Sequence, residues 1–145
     1  MKIMNKKDRY IFPSIFTQED DGISIEFPDL KGCLPCGSDL EESLINAKEA
    51  MALHIYSMEK DNEIIPTQTE IKDIKTNENQ AIFFIDVWMP TFREAIENKA
   101  IKKTLTIPKW LDDLATQEKV NFSQVLQRAL KDHLGIKDKD VNHFG

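Results

Sequence analysis

Residues 100–107 read AIKKTLTI, residues 108–119 PKWLDDLATQEK and residues 121–135 NFSQVLQRALKDHLG: one strand followed by two helices. Ile101, Leu105 and Ile107 fall on one face of the strand and Lys102, Thr104 and Thr106 on the other, with Lys103 interrupting the apolar face near its start. Pro108 ends the strand and suits the first position of a helix, where its missing N–H costs nothing. Trp110, Leu111, Leu114 and Ala115 form the apolar stripe of the first helix. Asn121 caps the second, with Gln124 three residues on as its capping-box partner. Phe122, Val125, Leu126, Ala129, Leu130 and Leu134 then recur at helical spacing, and Gly135 supplies the stop. A lone strand ahead of two short helices can neither bury its apolar face nor satisfy its backbone edge. The order therefore predicts an obligate dimer joined by a two-stranded ribbon. Such a ribbon fits the DNA major groove, and its outward face here carries Lys102, Thr104 and Thr106.

On KKTLTIPKWLDDLA and NFSQVLQRAL the segment resembles the ribbon-helix-helix DNA-binding family. The resemblance implies base contacts by Lys102, Thr104 and Thr106, and phosphate anchoring by the start of the second helix at Asn121, Phe122 and Ser123. The second assignment agrees with the physics of a helix N-terminus, where free N–H groups and the positive end of the dipole attract an anion. The competing reading is a dimerisation module whose threonines serve only β-propensity.

Outward from this segment, charge divides the chain. Its 145 residues have room for one ordinary domain and a small one, and the formal net charge is −6. Residues 1–99 hold 11 Lys and Arg against 19 Asp and Glu, whereas residues 100–145 hold 8 against 6. An acidic front and a mildly basic back suggest two partners of different charge, with nucleic acid suited only to the back. No apolar run is long enough to span a membrane and no signal-peptide pattern is present, so the expectation is a cytoplasmic protein with no membrane partner.

The front half has its own order. YIFPSIF (10–16) and ISIEF (23–27), separated by the polar QEDDG (18–22), read as a hairpin, with Pro13 arguing for an edge or a bulge. PDLKGCLPCG (28–37) has room for a short third strand. Ser38 is placed to cap a long helix, with Glu41 three residues later and a stripe of Leu40, Leu44, Ala47, Met51, Ile55 and Met58. Residues 61–79 read as a long loop, AIFFIDVW (81–88) as a strand from the middle of a sheet, and residues 91–99 as a short linking helix.

The run from Tyr10 to Thr69 resembles the N-terminal domain of the HicB antitoxins, most specifically in the Asp21–Gly22 turn, FPDLKGC (27–33) and DLEESLINAKEAM (39–51). With the C-terminal module the likeness spans residues 10–135. It implies an α+β chain: a small β-β-(β)-α-β partial RNase H-like domain over residues 1–98, a dimeric ribbon-helix-helix module over 99–136 and a polar tail over 137–145. It further implies a HicA-like toxin that cleaves mRNA as protein partner, operator DNA as the second, and repression of the operon by a homodimer, leaving a higher oligomer through the N-terminal sheets open. Acidic surface suits the cover of a cationic RNA-cutting protein, which makes Glu19, Asp20, Asp21, Glu26 and Asp29 candidate toxin contacts. The runner-up is a ribbon-helix-helix regulator whose N-terminal domain binds something else.

Catalytic readings have little to stand on. There is no Gly-rich phosphate loop, Ser–His–Asp arrangement or nucleotide fingerprint, so neither an enzyme nor a cofactor is expected. Cys33 and Cys36 form a single CxxC, half of a tetrahedral zinc site, and a helix entry nearby could lower a thiol pKa; two ordinary reduced cysteines are the expectation. Glu26 and Asp86 lie on predicted strands, but a two-metal nuclease needs several acids converging on one spot.

Overall fold

The computed structural model describes residues 6–137; the expected polar tail lies outside them except for Lys137. The chain divides into two compact units, Met1–Ala100 and Ile101–Gly145.

The first unit is one sheet under one long helix. β1 (Arg9–Glu19) and β2 (Gly22–Glu26) form the expected hairpin, closed by the pair Glu19 and Gly22 around Asp20–Asp21. Gly22 has φ +149°, and a Cβ there would stand 2.7 Å from the Gly37 carbonyl oxygen, so the position takes no side chain. β3 (Cys36–Gly37) is the short third strand, α1 spans Leu40–Lys60, and β4 (Gln80–Trp88) pairs antiparallel with β1. The strand order is β3-β2-β1-β4. The 61–79 connection contains only a 3-10 turn at Ile71–Asp73, and α2 (Met89–Glu97) follows β4 directly. The α+β order expected for this unit is thus present, and no described helix is long and apolar enough to cross a membrane.

Alternation sorts the strands. Tyr10, Phe12, Phe16, Ile25, Ile85 and Val87 turn to α1, which meets them with Ala47, Met51, Ala52 and Ile55. Ser14 also faces inward and is fully buried, its Oγ donating to the Phe83 carbonyl at 2.6 Å. The buried row of α1 is Ser43, Ala47, Met51, Ala52, Ile55 and Glu59, whereas Leu40 is exposed and Leu44 and Met58 are only partly buried. Ser43 belongs to the row because Gly37 passes so close that a Cβ on it would lie 2.7 Å from the Ser43 Cα; only small residues fit that crossing.

Two expectations are corrected and a third holds. Pro13, paired with Phe84 of β4, lies in the part of β1 that forms an edge on its other side. β2 reaches only to Ile15 in the register, so no ladder on that side asks for the donor that proline lacks. β4 is an edge strand rather than a central one, because β1 is its only neighbour among the described strands. The helix cap is Asp39 instead of Ser38: its carboxylate accepts from the Glu42 N–H at 2.8 Å, while Ser38 Oγ donates to the Glu42 carboxylate at 2.7 Å.

In the second unit α3 spans Lys109–Gln117 and α4 Phe122–Leu134. The caps are as expected: Asn121 Oδ1 accepts from the Gln124 N–H at 3.1 Å, and Gly135 closes α4 in the left-handed region at φ 69°. Residues 101–107 join no ladder in the single chain, because no other described strand lies alongside. No described residue from 101 to 137 is buried.

Candidate functional site

The second unit carries an apolar surface with nothing on it. Ile101 is 83% exposed, and Leu105, Ile107, Trp110, Leu114, Val125 and Leu130 are exposed too, although they repeat at the strand and helix periods that mark core faces. Lys102, Thr104 and Thr106 alternate with this apolar set in sequence along a stretch that has no regular secondary structure and is open to solvent. At the start of α4, Asn121 uses its side chain on Gln124, and Ser123 Oγ accepts from Gln127 Nε2 at 2.9 Å. The N–H groups of Phe122 and Ser123 belong to the first turn, where a helix offers its backbone no partner, so they remain available to an anion. Ser123 Oγ keeps donor capacity for the same ligand.

The first unit presents acids. Asp20 and Asp21 stand exposed at the hairpin tip, and Glu19 beside them accepts from Ser24 Oγ at 3.0 Å. Glu26 is exposed on the sheet face away from α1, opposite Ile15. Asp29 has a different job. It accepts from the Thr69 N–H at 3.0 Å and from Thr69 Oγ1 at 2.6 Å, and so ties the 61–79 loop to the segment before β3. The packing of Gly22 on Gly37 and Ser38 brings the hairpin tip beside the start of α1, where Asp39, Glu41 and Glu42 follow. Two acidic stretches far apart in sequence therefore adjoin.

Glu26 and Asp86 do not converge. Both lie on the outer face of the sheet, but their partners on β1 are Ile15 and Ile11, about 14 Å apart at the rise of a strand, and on opposite sides of it. Asp86 pairs with Arg9 at 3.3 Å, and the Arg9 guanidinium lies 5.6 Å over the Trp88 ring. These charges blunt the open edge of β4. Cys33 is buried and its thiol is pushed up to about 11 by burial, the reverse of the lowering that a helix entry would give; Cys36 is exposed on β3.

Sequence patterns did not announce the one buried ion pair among the described residues. Glu59, with a side chain 3% exposed, receives both Arg93 Nε, at 2.9 Å, and Nη2, while Nη2 also donates to the Lys7 carbonyl at 2.8 Å. The hydrogen bond to Glu59 is the main cause that holds the Arg93 pKa above its ordinary value. The pair clasps α2 to the end of α1 and, through Arg93, to the segment just before β1.

A family model described as HicB_like antitoxin of bacterial toxin-antitoxin system matches residues 12–130. The chain is 30% identical over 101 residues to a protein of Haemophilus phage HP1 named as an uncharacterized 14.9 kDa protein in the rep-hol intergenic region, covering 70% of this chain and 75% of that one. A toxin-antitoxin complex from Streptococcus pneumoniae contains a chain of similar fold: TM-score 0.55, 23% identity, 86% of this chain and 99% of that chain covered. The antitoxin HicB of Burkholderia pseudomallei also shares the fold, with TM-score 0.50, 18% identity, and 86% and 98% of the two chains covered.

Proposed function

The chain belongs to the HicB-like antitoxins of bacterial toxin-antitoxin systems, and from that premise we propose that it has two tasks, one for each unit. The acidic first unit binds and inhibits a HicA-like, mRNA-cleaving toxin. Residues 101–136 pair with a second copy, form a ribbon-helix-helix dimer and bind the operator of their own operon, which places the protein in the cytoplasm with its DNA and its toxin.

The observation that carries the second task is the state of residues 101–137. Their apolar residues keep the spacing of a core face, yet none is buried in the single chain. A second copy supplies the missing neighbour: two 101–107 segments pair as an antiparallel ribbon, Ile101, Leu105 and Ile107 turn inward onto the helices, and Lys102, Thr104 and Thr106 turn outward to base edges. The N-terminal turn of α4 then holds backbone phosphates through the N–H groups of Phe122 and Ser123 and the Ser123 hydroxyl. For the first task, Glu19, Asp20, Asp21 and Glu26 remain the candidate toxin contacts, with Asp29 supporting the loop around them. A charge of −8 over residues 1–99, from 11 basic and 19 acidic residues, favours encounter with a cationic partner.

Replacing Lys102, Thr104 and Thr106 together with alanine tests the DNA task. Operator binding falls by at least 100-fold on an order-of-magnitude count of about 1–3 kcal/mol per base contact, while sedimentation still reports the wild-type oligomer. Retention of operator at wild-type concentration by the triple variant removes the ribbon as the reading element.

A further inference from the structure

α1 carries a second apolar row that its own sheet does not use. Ile45 and Leu53 are 53% and 57% exposed, and with Glu49 between them they stand at i, i+4 and i+8, one line of about 12 Å along the helix. The buried row through Ala47, Met51 and Ile55 lies on the opposite side. Beside this line runs the outer edge of the sheet. Pro35, Cys36, Asn46, Glu49, Ala50 and Leu53 line a shallow groove of about 360 Å³ between β3 and α1. Asn46 Nδ2 donates to the Cys36 carbonyl at 2.8 Å, and Leu34, next in sequence to the lining residue Pro35, is 70% exposed.

Charge surrounds this apolar strip. A second shallow groove, lined by Asp39, Glu41, Glu42 and Ile45, continues it toward the start of α1, and the Asp20–Asp21 tip adjoins that end through the contact of Gly22 with Gly37 and Ser38. Glu41 and Glu49 enter none of the ion pairs among the described residues. Lys48 is the only Lys or Arg between Asp39 and Glu59, and it projects about 100° round the helix from Glu49.

We propose that the groove between β3 and α1, with Leu34, Ile45 and Leu53 as apolar anchors and Glu41 and Glu49 as its charged rim, is the surface on which this antitoxin seats its toxin. The proposal rests on the antitoxin reading above and adds the place and chemistry of contact: a basic protein surface that inserts an apolar side chain. An apolar strip inside a charged rim is the anatomy of a protein interface, in which the centre holds and the rim selects. A second copy of the chain is the wrong occupant, because a twofold interface would set Asp39, Glu41, Glu42 and Glu49 against their own equivalents. Nucleic acid is excluded by the same charges. The hairpin acids then have a place in the event: they steer approach to the end of the groove, whereas Leu34, Ile45 and Leu53 govern residence.

Cys36 makes the groove testable without a substitution. The full-length antitoxin is treated with iodoacetamide, free and in complex with the HicA-like toxin encoded with it, and modification at each cysteine is followed by mass spectrometry. Cys33 is shielded by burial, so Cys36 alone reports. Its modification slows at least tenfold in the complex; an unchanged rate overturns the proposal. In parallel, Leu53→Asp and Glu49→Lys are compared with wild type for toxin inhibition, operator binding and thermal midpoint. Both lose inhibition at least tenfold and keep the other two properties, since both side chains point into solvent. Wild-type inhibition by both variants overturns the groove while leaving the antitoxin reading in place. A change of oligomeric state with inhibition intact assigns the face to a second copy and also overturns it. A wild-type chain that leaves the toxin fully active overturns the antitoxin reading and the groove together.

Discussion

Arg93 and Cys33 show what burial asks of a single side chain. The Glu59–Arg93 pair is nearly enclosed, with side chains 3% and 15% exposed, so its attraction is set against the cost of removing two charges from water. Truncating one partner strands the other. Arg93→Leu should destabilise the first unit by about 3–5 kcal/mol, and the double variant Glu59→Leu/Arg93→Leu by clearly less, because both charges leave together. Urea titrations of the four proteins measure the coupling; additive losses would mean that the pair contributes no more than its packing. Cys33 makes a prediction in pH. Burial raises its thiol from the ordinary 9.0 to about 11, so the folded chain keeps a proton that the unfolded chain releases. Stability is therefore complete below pH 9 and falls as pH rises from about 9 to 11. Tyr10, also raised by burial, adds to the same alkaline loss. Cys33→Ala should show a shallower fall of thermal midpoint between pH 8 and 10.5 than wild type. Equal slopes would place the loss elsewhere.

At the scale of elements, the sequence was legible wherever a local rule acts alone. The β1–β2 hairpin followed from alternation on both sides of a polar turn, and the end of α4 from Gly135. Elements whose place depends on neighbours were misjudged. AIFFIDVW is apolar on both faces, which suits a central strand; in the fold Phe83, Ile85 and Val87 face α1 while Phe84 and Trp88 remain exposed beside an open edge. The centre of the α1 stripe, Ala47, Met51 and Ile55, was legible, with Leu44 and Met58 packed beside it; Leu40 is exposed, and Ser43 and Glu59 were missed because hydrophobicity alone does not select them. The groove was invisible for a related reason: Ile45 and Leu53 look like ordinary helix residues until their exposure is known. The cap correction has a measurable consequence. Asp39→Ala removes the acceptor of the Glu42 N–H and should cost about 1 kcal/mol, whereas Ser38→Ala, which removes only an exposed side-chain bond, should cost less. Denaturation followed by Trp88 fluorescence in a Trp110→Phe background confines the readout to the first unit, and a larger loss for Ser38→Ala would restore the serine as cap.

Across the whole molecule the two units stand in different thermodynamic positions. Every residue of the hydrophobic core lies between Tyr10 and Met89, so the first unit has what it needs to fold by itself. No residue from 101 to 137 is fully buried in the single chain, and helices of 9 and 13 residues are too short to persist in water without packing. Their folding should therefore be bound to association, with a stability that rises with protein concentration. A fragment of residues 1–98 should unfold in one transition whose midpoint does not depend on concentration. A fragment of residues 100–145 should gain helicity as it is concentrated, following the mass action of a dimer, and the full chain should show both behaviours in one calorimetric trace. Function divides in the same way. The 1–98 fragment should neutralise the toxin but fail to shift operator DNA, because the groove and the hairpin acids all lie within it. If the fragment folds but no longer inhibits, pairing by the second unit must assemble the inhibitory surface from two copies. If residues 100–145 prove helical at all concentrations, their exposed apolar face has another partner than a second copy, and the ribbon loses its basis.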